Sequence, residues 1–198
     1  MFNERLILTL LNIKGLGRKT VNKILQWKIP DSLREEDLLE FLNKSKNYIK
    51  RMPKIDLEDI KLSKKKSDYI IKKCKEKDIK IITILDNSLP EKLKEIEDNP
   101  VLLYYKGNID LINKKSIAII GTRRPTSHGE KIAYKLGEVL SQRDFIIVSG
   151  LALGCDTCAH LSCVNNYQKT IAVLPSPIDN IYPTTNIKLA EEIIKNNG

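Results

Sequence analysis

The sequence predicts an α/β protein in which a small all-helical module precedes a parallel β-sheet with helices between its strands. Two observations lead to this prediction. The hydrophobic spacing changes near Ile79 from a helical period to short β-rich runs. From Ile117 onward, short apolar runs alternate strictly with helical patterns, and this βαβαβα order is the half-unit of a doubly wound parallel sheet. The predicted domains are residues 1–77 and 78–198.

Residues 1–77 carry apolar side chains at helical spacing. The predicted helices cover residues 4–12, 21–27, 33–43 and 64–77. We expect Asp31 or Ser32 to cap the third helix, whose first turn is acidic. The fourth helix is expected to carry Tyr69, Ile70 and Cys74 on its inner side. Its three consecutive lysines, residues 64–66, are interpreted as a solvated face.

A glycine-rich hairpin joins the first two predicted helices. Gly15 and Gly17 allow a tight turn whose backbone N–H groups can face a nucleic-acid phosphate. The basic side chains of Lys14, Arg18 and Lys19 lie beside them in the sequence. The pattern is that of a helix-hairpin-helix element and predicts a secondary DNA contact. The alternative is an ordinary helical hairpin joined by glycine.

Residues 78–198 contain the strands and helices of the α/β part. The predicted strands cover residues 79–85, 101–107, 117–121, 145–149 and 170–174. The predicted helices cover residues 92–96, 130–142, 156–165 and 187–197. Right-handed crossovers keep the last three strands parallel, so their carboxyl ends share one edge of the sheet.

Three loops are expected to meet at that edge, namely residues 121–129, 149–156 and 175–183. The first loop offers flexible backbone, a hydroxyl and two guanidinium groups. These groups suit phosphate because exposed N–H groups and arginine forks both bind oxyanions. The convergence favours a phosphate or nucleotide site over a purely structural explanation. The candidate phosphate-binding residues are Gly121, Thr122, Arg123, Arg124, Ser127, Gly129, Ser149, Gly150 and Gly154.

The charge of the chain is strongly positive. Its 34 lysines and arginines exceed 25 aspartates and glutamates, which gives a formal net charge of +9. A polyanionic partner would explain this excess, and a lysine-rich solvated surface is the alternative. The sequence shows neither an apolar run of membrane-spanning length nor a secretion signal, so we expect a cytoplasmic protein.

Three cysteines and one histidine form a C-x-x-C-x-H-x-x-C pattern at Cys155, Cys158, His160 and Cys163. This pattern raises the possibility of zinc. All four residues fall on one predicted helix, however, whereas structural zinc sites draw their ligands from separate segments. Packing of small thiols as apolar side chains is therefore favoured. No metal and no cofactor is expected.

Several of these motifs occur together in one known family. Residues 119–129, Ile-Ile-Gly-Thr-Arg-Arg-Pro-Thr-Ser-His-Gly, resemble the G-[ST]-R-x-x-[ST]-x-x-G signature of the bacterial DNA-processing protein A family (DprA, also called Smf). Residues 149–160 are similar to its S-G-x-A-x-G-I-D-x-x-A-H segment. Residues 98–107 resemble its entry strand, and residues 170–174 with the following stretch to Asn186 match the segment that closes its third strand. The hairpin fits the helical amino-terminal module, of the helix-hairpin-helix or SAM-like type, found in many members.

The resemblance implies a Rossmann-like (extended) domain that binds single-stranded DNA. Members protect incoming DNA in natural transformation, help to load the RecA recombinase, self-associate as homodimers and are not known as enzymes. The implied roles are phosphate contact for the loop residues given above and support of the pocket by Asp156, His160, Asp179 and Tyr182. Asp156 and His160 lie four residues apart, so an acid–imidazole pair on one helical face is expected.

The chain also departs from the family pattern. Leu153 and Thr184 stand where the family often has basic residues, and Pro175-Ser176-Pro177 replaces a turn that commonly contains glycine. Each departure predicts weaker DNA affinity. The second half of the family's domain would follow Gly198, so we expect the sheet to be incomplete and the chain to be a fragment or a truncation.

Two other functions remain open at this point. The first is a nucleotide-binding sensor or a nucleoside-monophosphate-processing enzyme on the same scaffold. The sequence contains neither the P-G-G-x-G-T segment of such enzymes nor a G-x-G-x-x-G fingerprint. The second is a protein-interaction module that recruits a partner through the helical part.

Overall fold

The computed structural model describes residues 2–26, 29–30 and 32–198. The chain divides into two compact units, Met1–Tyr104 and Tyr105–Gly198. The first unit extends beyond the helical pattern because side chains around the first two strands, Ile84, Leu85, Val101 and Leu102, pack into the helical core. The predicted boundary after residue 77 stays a prediction about domain organisation.

Four helices form most of the first unit. They are α1 (Phe2–Asn12), α2 (Arg18–Leu25), α3 (Glu35–Ser45) and α4 (Leu57–Glu76). Their apolar faces meet in one core, whose largest completely buried side chains are Leu6, Ile7, Leu10, Ile24, Leu38, Leu42 and Ile60. The predicted end of the second helix at Trp27 lies outside the described residues.

The start of α4 was predicted too late. Asp56 and Asp59 form a capping box, in which the Asp56 carboxylate accepts from the Asp59 N–H at 2.9 Å. This exchange satisfies amides that would otherwise lack partners, so the helix begins at Leu57 rather than Lys64.

The predicted inner face of α4 was wrong for Tyr69, which is 62% exposed. The buried side chains of α4 are Ile60, Ser63, Ser67 and Cys74. Two of these four residues are serines, whose small side chains allow α1 to approach closely. Ser67 Oγ lies 3.4 Å from Thr9 Oγ1 of α1. Burial of these small residues turns the bulky phenol of Tyr69 towards solvent.

Lys64 also differs from the predicted solvated face. Its Nζ donates to the Leu33 carbonyl at 2.8 Å and forms an ion pair with Glu35 at 2.5 Å, and only 15% of its side chain is exposed. The predicted capping of α3 by Ser32 was wrong as well. The residue at the cap position is Arg34, and no side chain of a described residue caps the helix. Ser32 Oγ accepts from the Arg34 N–H, while Asp31 lies outside the described residues.

The first two strands and a short helix complete this unit. The strands β1 (Lys80–Thr83) and β2 (Leu102–Tyr105) form a two-stranded sheet, and the connection between them includes α5 (Glu91–Lys94). Beyond β1, the Ile84 N–H donates to the Val101 carbonyl at 2.9 Å. These elements lie where the sequence predicted them.

The second unit contains the predicted βαβαβα order. After a 3-10 helix (Ile109–Asn113), its elements are β3 (Ser116–Ala118), α6 (Ser127–Ser141), β4 (Ile146–Ser149), α7 (Cys155–Asn165), β5 (Thr170–Ala172), a second 3-10 helix (Thr184–Asn186) and α8 (Ile187–Lys195). The strands lie in the order β3-β4-β5 and both pairs are parallel. This is a Rossmann-like α/β arrangement preceded by helices, as the sequence predicted.

Two apolar clusters hold α6, α7 and α8 against the sheet. In the first, Ile117, Ile119 and Ile147 pack with Leu140 of α6 and with Ala159 and Cys163 of α7. In the second, Leu151 and Ala172 pack with Leu189 and Ile193 of α8. Cys163 is buried and free, so it behaves as the small apolar side chain that the sequence favoured.

None of the helices in residues 2–26, 29–30 and 32–198 combines the length and the apolar character needed to cross a membrane.

Candidate functional site

The carboxyl edge of the parallel sheet brings the three predicted loops together. The register pairs Ala118 with Val148 and Ser149 with Ala172, so the strands end at neighbouring positions. Two more hydrogen bonds continue the pairing beyond the strands, from Ile119 N–H to the Val148 carbonyl at 3.0 Å and from Val173 N–H to the Ser149 carbonyl at 2.8 Å. The loops therefore leave the sheet side by side, as parallel topology requires.

The first loop is the most exposed part of this edge. Residues 120–124 are all exposed, and Ile120 reaches 78%. The Thr122 hydroxyl accepts from the Arg124 N–H at 3.2 Å, which shapes the turn without covering either arginine. Arg123 and Arg124 form no ion pair with another described residue. Two guanidinium groups are thus presented to solvent at the end of a parallel strand.

The same loop leads into the amino terminus of α6. Thr126 is the residue before the helix, and its hydroxyl accepts from the Gly129 N–H at 3.2 Å. The amides of Ser127 and His128 belong to the first turn, where helix amides have no intrahelical partner. The positive end of the helix dipole therefore lies beside the two arginines, and this combination favours an anion.

Close backbone contact joins the first loop to the second. Gly154 has φ +80°, and a Cβ at this position would lie 2.4 Å from the Thr122 carbonyl oxygen. A Cβ on Gly121 would lie 2.6 Å from Cys155 Sγ. The Cys155 N–H donates to the Thr122 carbonyl at 3.2 Å across this contact. Both glycines are required because any side chain would push the loops apart.

The Asp156 carboxylate stabilises the second loop through hydrogen bonds to its backbone. Its side chain is 6% exposed, and Oδ2 accepts from the N–H groups of Gly150 at 3.0 Å and Ala152 at 3.4 Å. Ser149 is also buried, and its hydroxyl donates to the Ile119 carbonyl at 2.6 Å. Donation of the Ser149 hydroxyl proton to a phosphate oxygen would require this bond to break, since a hydroxyl has a single proton to donate. The predicted phosphate contacts of this loop stay predictions.

Asn186 ends the 3-10 helix that follows the third loop, and its side chain bonds to the second loop. The sequence did not predict it as a site residue. It is 5% exposed, and its Nδ2 donates to the Leu151 carbonyl at 2.9 Å and to Thr157 Oγ at 2.8 Å. Thr157 Oγ in turn donates to the Ala152 carbonyl at 2.7 Å. The signal available in the sequence was the place of Asn186 in the stretch that resembled the DNA-processing family.

His160 of α7 is completely buried. Thr170 Oγ donates to the Ile147 carbonyl at 2.7 Å, so His160 Nδ1 must supply the proton of its own 2.9 Å bond to Thr170 Oγ. Among the described residues, none offers Nε2 a hydrogen bond of good geometry. Burial lowers the pKa of His160 from 6.5 to about 4, although the Asp156 charge and the Ser149 carbonyl act in the opposite direction. The imidazole is therefore neutral at pH 7.

The predicted acid–imidazole pair takes a different form. Asp156 bonds to the amides of the second loop, whereas His160 bonds to Thr170 of β5, so each braces a separate element. Tyr182 in the third loop is 67% exposed. Asp179 lies in the same loop and is exposed. The supporting roles of these residues stay predictions.

The hairpin residues lie in the first unit. Gly15 takes a positive φ of 89° in the turn, and Gly17 precedes α2. Arg18 forms an ion pair with Asp98, whereas Lys14 and Lys19 are exposed. The described residues hold no group of three or more His, Cys, Asp and Glu side chains arranged to bind a metal.

Comparison with known proteins identifies the family of the chain. A sequence model described as DNA recombination-mediator protein A matches residues 80–198. The chain belongs to the DNA recombination-mediator protein A family. Members of this family carry the names DprA and Smf, and the resemblance found in the sequence is confirmed.

Two relatives show how much of the length of a family member the chain matches. The DNA processing protein DprA of Streptococcus pneumoniae is 43% identical over 111 residues, which are 56% of this chain and 39% of the relative. The protein Smf of Borreliella burgdorferi is 31% identical over 166 residues, which are 84% of this chain and 50% of the relative. The chain thus spans half or less of the length of these relatives.

Two solved structures resemble the fold. The X-ray structure of DprA from Streptococcus pneumoniae has a TM-score of 0.60 and 29% identity, and the match covers 89% of this chain and 64% of that one. DNA processing protein A from Helicobacter pylori has a TM-score of 0.51 and 34% identity, and the match covers 60% of this chain and 53% of that one. The Helicobacter protein is described for its single-stranded DNA binding mode.

Proposed function

We propose that this chain binds the phosphate backbone of single-stranded DNA at the carboxyl edge of its parallel sheet. The observation that carries the proposal is the exposed first loop, in which Arg123 and Arg124 have no ion-pair partner among the described residues and lie beside the amino terminus of α6. The single-stranded DNA binding mode of the Helicobacter relative supports it.

The chemistry of the edge suits phosphate for two reasons. Arginine forks form charge-assisted hydrogen bonds with phosphate oxygens, and the amides of Ser127 and His128 add donors at the positive end of a 15-residue helix. Asp156 is a buried carboxylate of the second loop. Its Oδ2 accepts from the backbone amides of Gly150 and Ala152, and these bonds stabilise the loop.

A polymer fits the edge better than a mononucleotide. Five consecutive residues, 120–124, are exposed, so the first loop forms an open surface rather than the wall of an enclosed pocket. The net charge of +9 adds a long-range attraction to a polyanion. We therefore propose a DNA-binding protein and not an enzyme.

The wider role follows the family. We propose that the protein protects single-stranded DNA and assists loading of the RecA recombinase onto it in transformation or recombination, that it acts as a homodimer, and that it does so in the cytoplasm. Leu153 is 45% exposed and Thr184 is exposed, so the missing basic residues at these positions reduce the charge available to DNA.

The experiment that tests the proposed function is a titration of a labelled oligo-dT strand, followed by fluorescence anisotropy at two salt concentrations. We expect binding at low salt that weakens steeply as salt rises, since each single-strand phosphate contact contributes about −0.7 to the log–log salt slope. Absence of binding at low salt would refute the proposal. Thermal stabilisation by nucleoside monophosphates, with none by oligonucleotides, would instead indicate the nucleotide-handling alternative.

A further inference from the structure

The exposed side of α4 carries a cluster of lysines around one tyrosine. Tyr69 lies at its centre, and Lys65, Lys66, Lys72 and Lys73 are three or four residues away on the same side of the helix. All five side chains are exposed. We call these five residues the α4 basic face.

Most of the positive charge on this face is uncompensated. Among the residues that the structure describes, Lys65, Lys66 and Lys72 have no ion-pair partner. The neighbouring carboxylates are already occupied, because Asp68 pairs with Arg5 at 2.6 Å and Glu76 pairs with Lys73 at 2.7 Å. The face therefore attracts an anion from solution.

Tyr69 gives the face an aromatic surface. Its side chain is 62% exposed, and Lys73 Nζ lies 5.8 Å from the ring centroid. The ring is not part of the hydrophobic core, because α4 packs on α1 through the side that carries Ser63 and Ser67. An exposed aromatic between lysines is the arrangement on which unpaired bases stack while the phosphates meet the ammonium groups.

A surface depression lies beside the ring. Its volume is about 360 Å³, and it is lined by Asn12, Lys65, Lys66, Tyr69 and Ile70. Tyr69 and Ile70 supply apolar walls, while the two ammonium groups lie at its border. Asn12 ends α1, two residues before the exposed Lys14 of the hairpin. The depression thus combines a site for a base with cations for the adjoining phosphates.

We propose that the α4 basic face is a second surface for single-stranded nucleic acid, with a base stacked on Tyr69 and phosphates held by Lys65, Lys66 and Lys72. This inference goes beyond the proposed function, because it uses different residues in a different unit. A stacking ring favours unpaired bases over duplex DNA, an acidic peptide or an anionic membrane, none of which presents a free base.

The first test removes the charge. In the full chain, the triple variant Lys65→Gln, Lys66→Gln, Lys72→Gln is compared with a matched triple variant, Lys50→Gln, Lys80→Gln, Lys92→Gln, which neutralises three exposed lysines outside the face. We expect the first variant to bind oligo-dT at least tenfold more weakly, with a salt slope smaller by about 2, as three lost phosphate contacts require. Equal losses in both variants would overturn the proposal.

The second test separates stacking from charge. Tyr69→Ala should weaken binding of oligo-dT about fivefold or more, whereas Tyr69→Phe should retain the affinity of the unmodified protein. An abasic strand of equal length has the same phosphates without bases, so Tyr69→Ala should bind it as well as the unmodified protein does. An equal loss on both strands, or no loss on either, would overturn the stacking role.

A third test combines the α4 substitutions with Arg123→Ala and measures oligo-dT binding, so that failure of this inference and failure of the proposed function give different results. If the α4 substitutions weaken binding by the same factor with and without Arg123, the two surfaces act separately. If Arg123→Ala has no effect while the α4 variants do, the proposed function is refuted and the α4 surface stands. Loss of binding to anionic vesicles without loss of oligo-dT binding would overturn the α4 assignment to nucleic acid.

Discussion

The Asp156 carboxylate accepts the backbone N–H of Gly150 at 3.0 Å and thereby joins the first turn of α7 to the loop that follows β4. The same oxygen accepts the Ala152 N–H, so one buried charge orients two consecutive parts of the second loop. This arrangement supplies acceptors to two partly buried loop amides.

We expect Asp156→Asn to destabilise the protein by about 1–3 kcal/mol, since a neutral amide oxygen is a weaker acceptor for two amides. Affinity for oligo-dT should fall as the loop loosens. Urea unfolding and anisotropy titrations measure the two effects. Asp144→Asn is the matched control because Asp144 is exposed and asparagine tolerates its positive φ of 62°. Equal stability of the two variants would contradict this account.

Gly154→Ala tests the contact between the first and second loops. The new Cβ would lie 2.4 Å from the Thr122 carbonyl oxygen at a φ of +80°, so we expect a loss of about 2 kcal/mol or more in the free energy of unfolding. Gly17→Ala is a suitable comparison, since its Cβ would meet no atom of the described residues within 4 Å and its φ is −84°. Thermal melts of the two variants should differ clearly, and identical melting temperatures would argue against the close contact.

His160 predicts a pH dependence of stability. Burial lowers the pKa of His160 in the folded protein to about 4, whereas its value in the unfolded chain is about 6.5. Between these two pH values the unfolded chain therefore binds a proton at His160 more readily than the folded protein does. Neutral His160 therefore contributes about 2–3 kcal/mol to the free energy of unfolding. This contribution is fully present above pH 6.5 and is lost as the pH falls towards 4. Urea unfolding between pH 7.5 and 4.5 measures this loss.

The chain contains two histidines, which provides the control for that experiment. His160→Gln should reduce the loss of stability over this pH range, whereas His128→Gln, at an exposed position, should leave the loss as it is in the unmodified protein. If both variants lose stability like the unmodified protein, His160 does not carry the effect.

The architecture of the second unit could be predicted because its signals are local. Short apolar runs marked β3, β4 and β5, and parallel topology then placed their loops at one edge. The contributions of Asn186 and Thr157 could not be predicted in the same way. Their hydrogen bonds join segments about 30 residues apart, and they exist only after the loops have folded.

The helical unit shows a second limit of sequence patterns. The predicted inner side of α4 contained Tyr69, Ile70 and Cys74. Cys74 is buried, but Tyr69 is exposed because α1 packs on the side of α4 that carries Ser67, so tertiary packing decided which residues face the core. The start of α4, by contrast, has a local signal in the sequence, the capping box of Asp56 and Asp59.

Arg123 is the residue proposed to contact DNA phosphate at the carboxyl edge of the sheet. The most direct measurement compares Arg123→Ala with Arg143→Ala in oligo-dT titrations, because Arg143 is also exposed but follows the opposite end of α6. We predict that Arg123→Ala weakens binding about tenfold for every base sequence and reduces the salt slope by about 0.7, while Arg143→Ala leaves both nearly unchanged. Equal affinities for the two variants would contradict the placement of the site.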